Sequence, residues 1–135
     1  MKHLLIIISI LLLSSPLFGQ SFVSVGNSGT ILTSSDGISW TKRTSGTSKY
    51  LRGVTYGNEL FVTVGFFGTI LTSPDGITWT ERTSGTWVYL RGVTYASSAF
   101  VTVGKSGTIL ISPDGTTWTS KTSGTSNELR GVTSR

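Results

Sequence analysis

The chain has 135 residues, with 11 Lys and Arg against 6 Asp and Glu, a formal charge of +5 and no cysteine. Disulfides, thiolate metal sites and cysteine nucleophiles are therefore excluded. The single histidine, His3, lies near the N-terminus, so a chain shortened there has no ordinary general base for neutral pH. We expect neither a metal nor another cofactor. The positive charge is ordinary for a solubilised domain and does not indicate nucleic-acid binding.

Residues 1–19 have the pattern of a secretory signal peptide. Lys2 and His3 give a positive start, residues 4–13 are apolar apart from Ser9, and residues 14–19 resemble a cleavage region. The apolar run is shorter than the roughly 20 residues that a membrane-spanning helix needs, so no stable membrane anchor is expected. The sequence predicts cleavage before Gln20. Residues 20–135 would then form a secreted domain, periplasmic or extracellular.

The rest of the chain repeats with a period of 39 residues. Phe22, Phe61 and Phe100 hold equivalent positions, and the repeats cover residues 22–60, 61–99 and 100–135. A fixed period of this length is typical of stacked or radial repeat architectures.

Each repeat contains short runs of β-branched and aromatic residues separated by Gly, Ser, Thr, Asn and Asp. Such runs favour strands, and none has the spacing of a long helix. We predict an all-β fold with four strands per repeat. In the middle copy these strands cover residues 90–95, 61–64, 69–73 and 78–83.

Two kinds of turn recur. Gly65 and Gly68 flank Phe66 and Phe67, which predicts a tight hairpin with positive φ at the glycines. The second turn has the pattern Ser-x-Asp-Gly-x-x-Trp. Its Asp can accept backbone N–H bonds from residues further on, its Gly permits a left-handed turn, and its Trp can pack between neighbouring sheets. The predicted structural residues are Asp36, Gly37, Trp40, Asp75, Gly76, Trp79, Asp114, Gly115 and Trp118.

This second pattern resembles the Asp-box (BNR) repeat, although Asp75 meets Gly76 directly where the common box has an intervening residue. The longer unit, VGxxGTILTSPDGxTWTxRTSGTxxxLRGVTY, resembles repeats of secreted bacterial β-propellers and of photosystem II assembly factor-like propellers. The resemblance covers residues 22–135 and implies β-propeller-type repeats, here three four-stranded blades. It says little about function, because one fold serves many functions.

Ring closure follows from how the repeats begin and end. Propeller sheets have the first strand innermost, and this chain starts at a second strand and finishes in a first strand, residues 129–133. The C-terminal strand is therefore expected to complete the N-terminal blade. Because three blades are fewer than propellers usually have, a partial propeller or one completed by self-association is also possible. We favour self-association.

The copies differ most at two connections that we expect to share one rim. There the middle copy carries aromatic residues, which suit stacking on sugar rings or anchoring of a protein partner. The alternative is that these residues only cover the ring centre or an association interface. Arginines that recur in Leu-Arg-Gly-Val could converge to bind an anion, as the assembly-factor resemblance implies and as in sialidases, which also contain the Asp-box repeat. They could instead simply face solvent. The candidate ligand-binding residues are Arg52, Arg91, Arg130, Phe66, Phe67, Trp87 and Tyr89.

Two functions are in question. The first is a secreted, non-enzymatic binding or scaffold module that presents this rim to a protein, carbohydrate or anionic ligand. The second is a sialidase-like exo-glycosidase or a fragment of one, in which Glu128 would have to pair with Tyr50 or Tyr89. No catalytic residue is assigned, and we expect the chain not to be an enzyme.

Overall fold

The computed structural model describes residues 21–135, so the predicted signal peptide and its cleavage site lie outside the described residues. The strands in this range are β1 (Phe22–Val25), β2 (Ile31–Ser34), β3 (Thr41–Arg43), β4 (Leu51–Gly57), β5 (Leu60–Gly65), β6 (Ile70–Ser73), β7 (Thr80–Arg82), β8 (Leu90–Ala96), β9 (Ala99–Gly104), β10 (Ile109–Ser112) and β11 (Thr119–Lys121). The predicted all-β repeat fold is confirmed. No helix of residues 21–135 is long and apolar enough to cross a membrane.

The strands form three antiparallel sheets in chain order. The first sheet is β1-β2-β3, the second β4-β5-β6-β7 and the third β8-β9-β10-β11. The register is the same in each copy: Phe61 pairs with Ser73 and Ile70 with Arg82, as Phe22 pairs with Ser34 and Ile31 with Arg43. Equal sequence thus gives equal pairing, because the alternation of buried and exposed side chains fixes the register.

The core lies between successive sheets. Ile31 and Leu51 pack with Leu71 in one buried cluster, to which Trp79 adds its ring. The equivalent layer between the second and third sheets contains Ile70, Leu90 and Leu110, with Trp118 packed against it. The first and second sheets therefore each bury one face on the sheet that follows.

Glycine lets the first strands of neighbouring sheets approach each other. A Cβ added to Gly53 of β4 would lie 3.2 Å from the carbonyl oxygen of Arg91, and one on Gly92 of β8 would lie 3.4 Å from that of Arg130. A side chain at either position would need its neighbour to move. The repeated Leu-Arg-Gly-Val segments consequently line up side by side.

The C-terminal segment departs from the prediction. Residues 129–133 do not pair with β1, so the first sheet has three strands among the described residues. Leu129 instead donates its N–H to the carbonyl oxygen of Gly104 (2.9 Å), and the Ser134 hydroxyl lies 3.4 Å from the Tyr95 carbonyl oxygen. The segment continues the line of first strands beyond β8. Within residues 21–135, no strand closes the N-terminal sheet.

Candidate functional site

The two rims formed by the strand connections have different structures. One rim carries the Ser-x-Asp-Gly turns. In the second sheet the Asp75 carboxylate accepts the N–H groups of Ile77 (2.8 Å) and Thr78 (3.0 Å), and Gly76 has a φ of +78°. These bonds lower the pKa of Asp75, the Thr78 N–H being the largest cause.

The serine that begins this turn has a function that sequence reasoning missed. The buried Ser73 hydroxyl oxygen accepts the Gly76 N–H at 2.8 Å while the hydroxyl donates to Asp75 Oδ1 at 3.1 Å. Ser34 and Ser112 make the same bonds in the other two copies. The invariant serine in the repeat was the available signal. The Asp-containing rim is thus a fixed structural frame.

The opposite rim contains the variable connections. Its first connection is a single 3-10 turn, Phe66–Gly68 in the second sheet, where a two-residue hairpin was predicted. Gly68 has the predicted positive φ of 69°, whereas Gly65 is extended at −168°. Gly65 is needed for space, because an added Cβ would overlap the carbonyl oxygen of Tyr50. The close approach allows Phe66 to donate its N–H to that carbonyl oxygen.

Phe66 is the centre of an aromatic cluster on this rim. Its ring stacks on Tyr89 with centroids 4.1 Å apart and planes 5° from parallel, and Tyr50 lies 5.3 Å away. The guanidinium groups of Arg52 and Arg91 lie 4.9 Å and 5.2 Å from the Phe66 centroid. Cations at this distance are attracted to the ring faces. The structure therefore brings four of the predicted site residues together.

The three arginines form a row rather than one convergent site. Arg91 Nε lies 2.7 Å from Glu128 Oε1, and Arg130 lies 2.9 Å from Glu128 Oε2. The hydrogen bond from Arg91 is the main cause of a lowered pKa at Glu128. The chain's own carboxylate thus occupies the position between two arginines that an anionic ligand would take. Arg52 shares the Phe66 ring with Arg91 but forms no ion pair within residues 21–135.

Phe67 is exposed and held in a strained conformation. Its φ of +57° and ψ of 36° place it in the left-handed region, which is unusual for a bulky residue. The side chain is 47% exposed and meets the edge of Tyr89 at 5.1 Å. The equivalent residues are Ser28 and Ser106, with nearly the same backbone angles. The second copy therefore presents a large ring where the other two present a hydroxyl.

Beside Phe67 the second sheet has a cleft of about 380 Å³ whose lining includes Lys49 and Trp87. Trp87 is 79% exposed, and the Lys49 ammonium lies 5.9 Å from its ring. Clefts of about 390 and 500 Å³ occupy the same place on the first and third sheets, where Ser, Thr, Gly and basic residues line them. The same backbone cleft occurs in all three sheets, and aromatic walls distinguish the second.

Comparison with known proteins bears on this geometry. No protein-family model matches the chain, and neither does any curated protein sequence. Among solved structures, YCF48 bound to D1 peptide superposes with a TM-score of 0.64 at 19% identity, over 75% of this chain. The chain has a β-propeller fold. The match spans 36% of the YCF48 chain, so this chain covers little more than a third of that structure's length.

The solved structure shows what this propeller fold is seen with in another protein. YCF48 is a β-propeller seen with a peptide bound. At this low identity the likeness extends to the fold and not to individual residues. Within residues 21–135, no group of three or more His, Cys, Asp and Glu side chains is arranged to hold a metal ion. The aromatic rim itself contains ring stacking, cation–ring contacts and an ion pair.

Proposed function

We propose that the chain is a non-enzymatic binding module whose second sheet captures an acidic segment of a partner protein on the aromatic rim. Phe67 carries this proposal, because it exposes a bulky ring at a positive φ. Strain of this kind costs stability and persists where the surrounding structure enforces it, often at functional positions. Because Ser28 and Ser106 share these backbone angles, the turn itself imposes the conformation, and what distinguishes the second copy is the large exposed ring that Phe67 places there.

The charges around the rings indicate which segment fits. Arg52 and Arg91 cover Phe66, Lys105 lies 5.4 Å from the Tyr89 centroid, and Lys49 lies beside Trp87. The exposed rings of Phe67 and Trp87 suit planar or apolar side chains, and the cations of Arg52, Lys49 and Lys105 suit carboxylates. A peptide with acidic and aromatic residues satisfies both. The peptide bound to YCF48 supports a protein ligand over a sugar.

The proposal also covers the family of the repeat and the location of the protein. We take the Ser-x-Asp-Gly turn to be an Asp-box variant, and we expect export by residues 1–19, which would place the rim outside the cytoplasm. The glycosidase alternative gains no support from the rim. Its required acid, Glu128, is bound by Arg91 and Arg130.

The test is binding of synthetic peptides to the purified protein by fluorescence anisotropy. The probes are fluorescein-labelled ten-residue peptides that carry either acidic or basic residues, each with two aromatic residues. We expect the acidic peptide to bind and its affinity to fall as salt is raised. The double variant Phe67→Ser, Trp87→Ser gives the second cleft the residues of the first and third clefts. It should lower the affinity at least tenfold.

Ile77→Thr is the matched control. Ile77 is an exposed apolar residue of the Asp-containing turn, on the opposite rim, and its equivalent in the third copy is Thr116. Its removal should leave the affinity unchanged. Equal binding of acidic and basic peptides, or equal loss in the control and the double variant, would refute the proposal. If the protein bound oligosaccharides on an array and neither peptide, the site would be one for carbohydrate.

A further inference from the structure

The outward face of the first sheet exposes residues that the other two copies bury. Phe22 is 57% exposed, whereas its third-copy equivalent, Phe100, is fully buried. Trp79 and Trp118 are half-buried and donate Nε1–H to a glycine carbonyl oxygen at 2.9 and 3.0 Å. Trp40, their equivalent, is exposed. The first sheet therefore presents the surface that elsewhere receives a preceding sheet.

The far face of the third sheet has the complementary surface. Ile31 and Ile70 are fully buried by the sheet that follows theirs, but Ile109 is only half-buried. Leu129 is likewise half-buried, whereas its equivalents, Leu51 and Leu90, are buried. The far face of the third sheet thus corresponds to the faces of the first and second sheets on which the next sheet packs. The two outer faces of the molecule are thus the two halves of a contact that the chain already makes twice.

The free sheet edges match in the same way. Residues 129–133 read Leu-Arg-Gly-Val-Thr, identical to the first five residues of β4 and of β8. In the part of the chain that the structure describes, no strand pairs with β1 in the way that β4 pairs with β5 and β8 with β9. A groove of about 200 Å³ lies between β1 and β4, lined by Phe22, Val23, Val54 and Tyr56 among others. One free strand and one free edge therefore fit each other.

We propose that a second copy of this chain docks head to tail, residues 129–133 of each copy pairing with β1 of the other. In this pairing residues 129–133 take the part of β4, and β1 takes the part of β5. The register observed between β4 and β5 then places Leu129 opposite Gly26, Val132 opposite Ser24 and Thr133 opposite Val23. Thr63 and Thr102 donate their hydroxyls to Gly53 and Gly92 carbonyl oxygens at 2.8 Å. Ser24 would donate in the same way to Gly131 of the second copy.

A second copy fits better than closure of one chain on itself. The C-terminal segment lies against β8, at the opposite end of the arc from β1. Propellers have about four to eight sheets, and two copies give six. A head-to-tail contact that closes after two copies forms a ring, and all strand edges at the contact are then paired. In such a ring the aromatic rims of both copies would lie on the same side of the assembly.

Two measurements test this ring. Light scattering after size exclusion should give twice the mass of the chain. Because the chain has no cysteine, the variant Ser24→Cys, Val132→Cys introduces one defined pair. Opposed residues in an antiparallel pair lie about 4.5–5.5 Å apart at Cα, within disulfide reach. Oxidation should give a covalent dimer on a non-reducing gel. The pair Ser24→Cys, Ser134→Cys is two residues out of register and should link much less.

Gly131→Val tests the contact itself without disturbing the single chain. A Cβ at Gly131 meets nothing within 4 Å, and its φ lies outside the left-handed region. By analogy with Gly53, the added side chain would meet Arg52 of the second copy. We expect a folded monomer with unchanged circular dichroism, while Ser126→Val, in an exposed connection, remains a dimer. A monomeric parent, a cross-link within one chain or a ladder of larger products would each overturn the closed two-copy ring.

Discussion

The two rims of this propeller start from the same strands and differ in what the repeat preserves. The Asp-containing rim has the same serine, aspartate and glycine in all three copies, and every copy makes the same hydrogen bonds. The aromatic rim keeps its backbone but changes its side chains, so that Ser28 and Ser106 correspond to Phe67. Repetition thus marks what the fold requires. Variation on the same frame marks where a ligand can be recognised.

The largest expected effect concerns the frame beneath the variable rim. Gly68→Ala adds a Cβ that overlaps the carbonyl oxygen of Thr86, at a φ of +69°. Left-handed strain and overpacking together should lower the free energy of unfolding by about 2–5 kcal/mol. Gly85→Ala is the matched control, because its φ is +80° but nothing lies within 4 Å. It should cost only about 1–2 kcal/mol. Urea unfolding measures both, and equal losses would show that the close contact is unimportant.

The next effect distinguishes a covered turn from an exposed one. Ser73→Ala removes the hydroxyl that accepts the buried Gly76 N–H and should cost about 1–3 kcal/mol. Ser34→Ala removes the same bond to Gly37, but Gly37 is exposed and water can replace the hydroxyl. Its cost should be about 0.5–1 kcal/mol. Thermal unfolding of the two variants gives the difference. If the second copy covers Gly37 as the proposed ring requires, the two costs become equal at high protein concentration.

Much of this frame could be predicted from the sequence, since a repeated pattern states its own geometry three times. The strands, their order and the Asp75 bonds followed from alternation and turn chemistry. Two features did not. Gly65 is extended and is glycine because the backbone of Tyr50, 15 residues earlier, leaves no room for a side chain. The spacing between glycines in the sequence does not distinguish this need from a positive φ. The Arg91–Glu128 ion pair joins two different repeats, so only the three-dimensional packing reveals it.

A smaller effect should separate recognition from packing on the aromatic rim. Phe67→Asn places in the left-handed region a residue that tolerates it, so stability should be unchanged or rise by about 1 kcal/mol. Phe66→Asn should instead destabilise the protein, because the Phe66 ring stacks on Tyr89. Thermal unfolding compares the two variants. A clear loss of stability in Phe67→Asn would assign Phe67 to packing and remove the main support for the binding proposal.

The smallest effect is the pH dependence of the constant rim. Hydrogen bonds from backbone N–H groups, led by that of Thr78, hold the pKa of Asp75 below its ordinary value of 3.8. A carboxylate with a lowered folded-state pKa stabilises the fold above its unfolded value and loses that contribution as pH falls through the folded value. Urea midpoints should therefore be level from pH 7 to about 5 and decline below about 4. Asp75→Asn should be less stable at pH 7, and its urea midpoint should decline less steeply.

The pKa values of Asp36 and Asp114 are lowered in the same way, led by the N–H groups of Ile38 and Thr117. The triple Asn variant should therefore lose most of the slope of stability against pH. An unchanged slope in that variant would mean that Glu128, whose pKa Arg91 also lowers, dominates acid unfolding. The variable rim would then control the acid stability of the molecule.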